Sequence, residues 1–153
     1  MATVYSTQRT NARAIPPVKN KANELGGRIR VAHGVYEASS LASGDVIDMF
    51  VLPDGARLLE GSLAHDALGS STTLSVGYAA HTNAAGSAVS ASAAAYKAAA
   101  ASTSAQKVDI LATLALGSGT ETDTNDSGVA ITVTMGGAAG TGTIELTIKY
   151  AVD

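Results

Sequence analysis

The chain has no cysteine and no tryptophan, and only one phenylalanine and three prolines in 153 residues. Without cysteine there are neither disulfides nor thiolate chemistry, and the redox compartment stays open. Aromatic residues make up only 4% of a chain that is 46% apolar, much of it alanine. The expected core is therefore aliphatic and thin, as in a sandwich of short strands. No apolar run approaches the roughly eighteen residues of a membrane helix. Met1 is followed by polar residues, not by the basic patch and apolar run of a secretory signal. The expectation is a soluble, single-domain protein made in the cytosol.

What charge there is lies unevenly. Residues 1–30 carry Arg9, Arg13, Lys19, Lys21, Arg28 and Arg30 against Glu24 alone, a net of +5. Residues 31–153 carry four basic and twelve acidic residues, a net of −8. A basic segment on an acidic body predicts that the segment meets a negative surface, its own or a partner's. Residues 1–27 read as an extended arm, because Pro16 and Pro17 forbid a continuing helix and the apolar residues follow neither period. Arg9, Arg13, Lys19 and Lys21 are its candidate partner-binding residues. The arm is a poor nucleic-acid binder, since only Tyr5 could stack a base and the acidic body would repel phosphates.

Residues 28–153 read as a β-sandwich, organised around residues 142–152. There Ile144, Leu146, Ile148, Tyr150 and Val152 alternate with Glu145, Thr147, Lys149 and Ala151. Successive strand side chains point to opposite faces, so this is a half-buried strand. Residues 28–38 alternate through Ile29, Val31, His33 and Val35. Residues 45–52 are apolar on both faces, which predicts a central strand covered on both sides. Further strands are expected at 56–67, 72–78 (with Leu74, Val76 and Tyr78 inward), 107–116 and 129–135. Residues 90–104, rich in alanine, predict one short helix docked on the sheet through Tyr96. The fold class is mainly β, a jelly-roll-like sandwich with one short Ala-rich helix and an extended N-terminal arm.

Catalytic chemistry finds no foothold. His65 and Asp66 adjoin, but on opposite faces of one strand. Asp123, Asn125 and Asp126 with Gly128 imitate the start of a calcium loop, yet the twelfth position is Thr134 and not a glutamate. The glycine-rich residues 136–142 lack a lysine and lead into a strand, so no helix N-terminus is there to hold an anion. No serine sits in a nucleophile elbow. Neither an enzyme nor a metal or cofactor site is expected.

The arm with Pro16 and Pro17, the run Asn23 to Gly27, the strand closed by Leu52 to Arg57 and the alternating last strand together resemble small virion proteins of tailed bacteriophages. Within that group the chain is most similar to capsid decoration (cement) proteins. The resemblance implies a structural protein bound to the major capsid protein on the capsid exterior, made in the host cytoplasm and often trimeric. It carries over no site residues. Head-fibre, tail and adaptor proteins share much of this texture. A carbohydrate-binding head-fibre or spike module is the alternative of a different class, and the scarcity of aromatic rings counts against it.

Overall fold

The computed structural model describes residues 3–152. It has one α-helix, α1 (Thr7–Arg13), and ten strands: β1 (Arg28–Leu41), β2 (Val46–Leu52), β3 (Arg57–His65), β4 (Thr72–Tyr78), β5 (His81–Thr82), β6 (Ala88–Val89), β7 (Ser92–Ala101), β8 (Gln106–Ile110), β9 (Val129–Gly137) and β10 (Gly140–Val152). Two four-stranded antiparallel sheets run in the order β1-β10-β3-β8 and β2-β9-β4-β7, and β5 pairs with β6 as a separate small hairpin. Consecutive strands change sheets from β1 to β4 and again from β7 to β10. This is the mainly β, antiparallel sandwich predicted from the sequence.

β10 lies between β1 and β3, and its Ile144, Leu146 and Ile148 are fully buried. They share one core with Val76, Ile131 and Val133 of the other sheet. The predicted alternation holds as far as Lys149. Beyond it Tyr150 still packs against the core, though half-buried, where a bulge on β3 skips Leu59, and Ala151 on the other face is buried as well.

β1 turns its alternation the other way. Ile29, Val31 and Val35 are 68%, 59% and 56% exposed, while Ala32, Gly34 and Ala38 lie on the inner face. Gly34 gives the reason. A side chain there would meet the Met49 carbonyl oxygen at 2.8 Å and the Phe50 ring at 3.2 Å, so the close approach of β1 to β2 accepts only glycine. Placing Gly34 inward sends its odd-numbered neighbours outward, since a strand's faces alternate strictly.

β2 is not the predicted central strand but an edge. It pairs only with β9, and a bulge between Asp48 and Phe50 turns Ile47 and Leu52 inward while Val46 and Val51 stay exposed. The predicted strand at 107–116 is also shorter. β8 ends at Ile110, Leu111 takes φ +58°, and Leu114–Leu116 is a 3-10 turn whose first amides are capped by Thr113.

The Ala-rich segment is strand, not helix; among the described residues the one α-helix is α1. β7 pairs along β4, with Ala101, Ala100, Lys97 and Ser92 opposite Thr73, Leu74, Val76 and Tyr78. Alanine's helix advantage is at most about 0.7 kcal/mol per residue over ordinary residues. An isolated helix of this length is marginal. Leaving β4 without β7 would leave a row of unpaired backbone groups on a largely buried strand, a larger cost. Gly77 fits the pairing closely, because a Cβ there would sit 1.7 Å from the Ser92 carbonyl oxygen.

Candidate functional site

The arm is a hook. Ser6 caps α1, its hydroxyl accepting from the Arg9 amide at 3.3 Å, and none of the helix's residues is buried. Arg13 lies 4.7 Å over the Tyr5 ring. Beyond Pro16 and Pro17 the chain folds back: the Val18 amide donates to the Asn11 carbonyl, and Asn20 bonds the Asn11 side chain and the Gln8 carbonyl. The predicted extended course is thus replaced by helix and return. A seven-residue helix alone would be unstable, and these side-chain amide bonds close it.

The base of the hook is clamped to the sandwich. Lys21 Nζ donates to both Glu121 carboxylate oxygens, at 3.1 and 2.8 Å. Arg57 pairs with Glu121 at 3.2 Å and with Glu24 at 3.5 Å, and Asn23 donates to the Gly55 carbonyl at 2.9 Å. Of the four basic residues expected to face a partner, Arg9, Arg13 and Lys19 are exposed, whereas Lys21 is held by the chain's own Glu121. Sequence reasoning had no means of separating them, because Glu121 lies a hundred residues away.

Burial alone would raise the Glu121 pKa. The Lys21 hydrogen bond and the charges of Lys21 and Arg57 outweigh it and hold the carboxyl below the ordinary glutamate range. A carboxylate with a lowered folded pKa stabilises the folded contact above its ordinary pKa, and that contribution fades as pH falls through the lowered value. The clamp is therefore expected to hold at neutral pH and loosen in acid. Backbone NMR relaxation of residues 18–24 should show rising mobility as Glu121 protonates, and Glu121→Gln should produce it at neutral pH. Rigid residues 18–24 in that variant would refute the clamp.

On the outer face of β1, Ile29, Val31 and Val35 form an exposed apolar row interrupted by His33. Leu25, Val18 and Ile15 of the arm are 60%, 53% and 98% exposed. Exposed apolar residues gathered on one strand face, as on β1, are of the kind that mark an interaction site. The period-two pattern announced an apolar face on β1; only the Gly34 contact reveals that it points outward.

The other candidate residues are engaged internally. His33 Nδ1 meets Thr147 Oγ1, His65 Nδ1 the Asp66 carbonyl and His81 Nδ1 the Ala79 carbonyl. Asp66 accepts from the Thr143 amide, which lowers its pKa. Asp126 accepts from the Thr82 amide and Asp123 from the Ala84 amide, so the calcium-like turn fastens the β5–β6 hairpin. Among the described residues no group of three or more His, Cys, Asp or Glu is placed to hold a metal ion.

No family model and no curated protein matches the chain. Solved structures do. A chain of the cyanophage Pam1 capsid asymmetric unit superposes with a TM-score of 0.64 at 21% identity, over 100% of both chains. A chain of the capsid of Ralstonia phage GP4 gives a TM-score of 0.60 at 23% identity, over 83% of this chain and 86% of that one. At such identities the likeness is one of fold, and it extends over the hook as well as the sandwich in the first case.

Proposed function

We propose that this chain is a structural, non-enzymatic protein of a phage virion, bound to the outside of the capsid as a decoration (cement) protein. The observation that carries this reading is the end-to-end match to a chain of the Pam1 capsid asymmetric unit, with no part of either chain left over. The surface supports it. A rigid sandwich presents a charged hook and an apolar strand face, and each of its histidines and acidic loops makes an internal hydrogen bond. The hook, through Arg9, Arg13 and Lys19, meets an acidic surface of the major capsid protein; such charges serve encounter and register more than affinity. The apolar face of β1 joins copies into a homotrimer, since permanent interfaces between like subunits are the more hydrophobic kind.

Two measurements test this. Purified protein is expected to co-sediment with heads lacking it, and failure to do so would remove the decoration role. Sedimentation velocity is expected to give a trimer at micromolar concentration, and Val31→Asp with Val35→Asp a folded monomer. A wild-type monomer would remove the trimer.

A further inference from the structure

At one end of the sandwich an open cleft of about 430 Å³ lies between the β5–β6 hairpin and the Leu114–Leu116 turn. That volume falls in the range of small-molecule sites. Its walls are fixed in advance. Besides the two aspartate contacts already described, Thr124 Oγ1 donates to the Thr82 carbonyl and the Asn125 amide donates to the same oxygen, so the hairpin cannot swing freely. On the other side Gly117, at φ +81°, rests on Tyr96: a Cβ there would come within 2.8 Å of the ring.

Although aromatic residues are scarce, three rings gather here. Tyr78 lies 5.4 Å from His81, edge to face, and 5.8 Å from Tyr96, tilted. Around them stand polar groups with capacity to spare. Asn83 Oδ1 is engaged by the Ser87 amide, which leaves its NH2 as a donor. His81 uses Nδ1 on the Ala79 carbonyl, which leaves Nε2. Neither the Tyr78 nor the Tyr96 hydroxyl has a hydrogen-bond partner among the described residues. Burial and the neighbouring Tyr78 push the Tyr96 phenol up to about 12, so it remains a neutral donor and acceptor.

The charged groups decide what does not bind. No lysine or arginine lines the cleft, so a phosphate or carboxylate ligand has no counter-charge. The two carboxylates present are already engaged, Glu121 by Lys21 and Arg57 and Asp123 by the Ala84 amide, which leaves little to attract a cation. What remains open is an apolar surface of Tyr78, Ala95 and the exposed Leu114, over buried Val129 and Tyr96, bordered by polar donors and acceptors. We propose that the cleft between the β5–β6 hairpin and the Leu114–Leu116 turn binds one neutral pyranose ring of a saccharide. The sugar's C–H face packs on the half-buried Tyr78 ring, and its hydroxyls meet Asn83, His81 Nε2 and the phenol oxygens.

The test is NMR titration of the full chain with methyl glucoside, methyl galactoside and N-acetylglucosamine, with glucuronate as the anionic control. At least one neutral sugar is expected to shift the His81, Tyr78 and Tyr96 ring signals saturably, and glucuronate to bind more weakly. Tyr78→Phe keeps the ring and removes one hydroxyl. It should weaken binding several-fold, up to about tenfold, as loss of one net hydrogen bond does. Absence of saturable shifts with every neutral sugar, equal binding of glucuronate, or unchanged affinity in Tyr78→Phe would each overturn the assignment. An arginine-containing peptide that shifts these signals where sugars do not would overturn it in favour of a protein partner.

Discussion

Leu146→Asp is expected to abolish folding, while Thr147→Asp, one residue along the same strand, leaves the protein folded. Leu146 is fully buried and sits in the middle of β10, opposite Leu63 on one side and Gly34 on the other. A carboxylate there would be enclosed between two apolar sheets with no cation to meet. The penalty for an unpaired buried ion is several kcal/mol. Added to the lost leucine packing, at about 2–5 kcal/mol for a truncated buried leucine, it rivals the roughly 5–15 kcal/mol that holds a domain together. Thr147 faces outward, and its hydroxyl meets His33 Nδ1 at 2.9 Å. A carboxylate can take over that contact, so the change should stay within about 0.5 kcal/mol. Circular dichroism and thermal melting separate the two. Equal melting temperatures would mean that the strand's faces are assigned the wrong way round.

Deleting residues 1–20 is expected to leave the sandwich folded, with nearly unchanged melting temperature, and to abolish or severely weaken attachment to capsids. Among residues 3–20 no side chain is buried, and cutting after Asn20 spares the Lys21–Glu121 clamp. Replacing Arg9, Arg13 and Lys19 by glutamine should weaken attachment more at low salt than at high salt. Screening shortens the reach of exposed charges to about 8 Å at physiological ionic strength and less above it. Lys21→Gln should act differently, loosening the base of the hook without removing a charge from the partner-facing set. Co-sedimentation with undecorated heads across a salt series reads all three variants. If the truncated chain binds as well as the whole one, attachment belongs to the sandwich and not to the hook.

The course of β10 was legible because two opposed requirements, burial on one face and solvation on the other, repeat every second residue from Ile144 to Lys149. β4 was legible for the same reason, with Leu74 and Val76 fully buried as predicted. β7 was not, because alanine is compatible with either geometry and only the need of β4 for a partner decides. α1 escaped notice for the opposite reason: no residue of Thr7–Arg13 is buried, so no apolar periodicity marks it. The local signals were Ser6 in capping position and Pro16 shortly after the end. The β5–β6 hairpin is two residues a side, too short for periodicity, and it stands by hydrogen bonds from a loop some forty residues on. The basic residues of the arm could be named from the sequence. Which of them is neutralised by the chain itself could not, since that depends on where Glu121 arrives in three dimensions.

The alanines of β7 have a further consequence, for solubility. β7 is the outermost strand of its sheet, and such an edge is the usual seed of edge-to-edge polymerisation, although the Tyr96 carbonyl already accepts from the Leu111 amide and the Ala101 carbonyl from Gln106. Yet its register against β4 slips twice, between Leu74 and Val76 and again between Val76 and Tyr78, so the exposed rim is crooked. Its outward side chains are mostly methyl groups, which give an incoming strand little area to grip, and Lys97 adds a charge that a docking strand would have to accommodate. The composition that disguised this segment as a helix is what makes it a poor template. A protein accumulated in many copies would gain from such an unadhesive border, and replacing Ala98 and Ala100 with valine would be the way to spoil it.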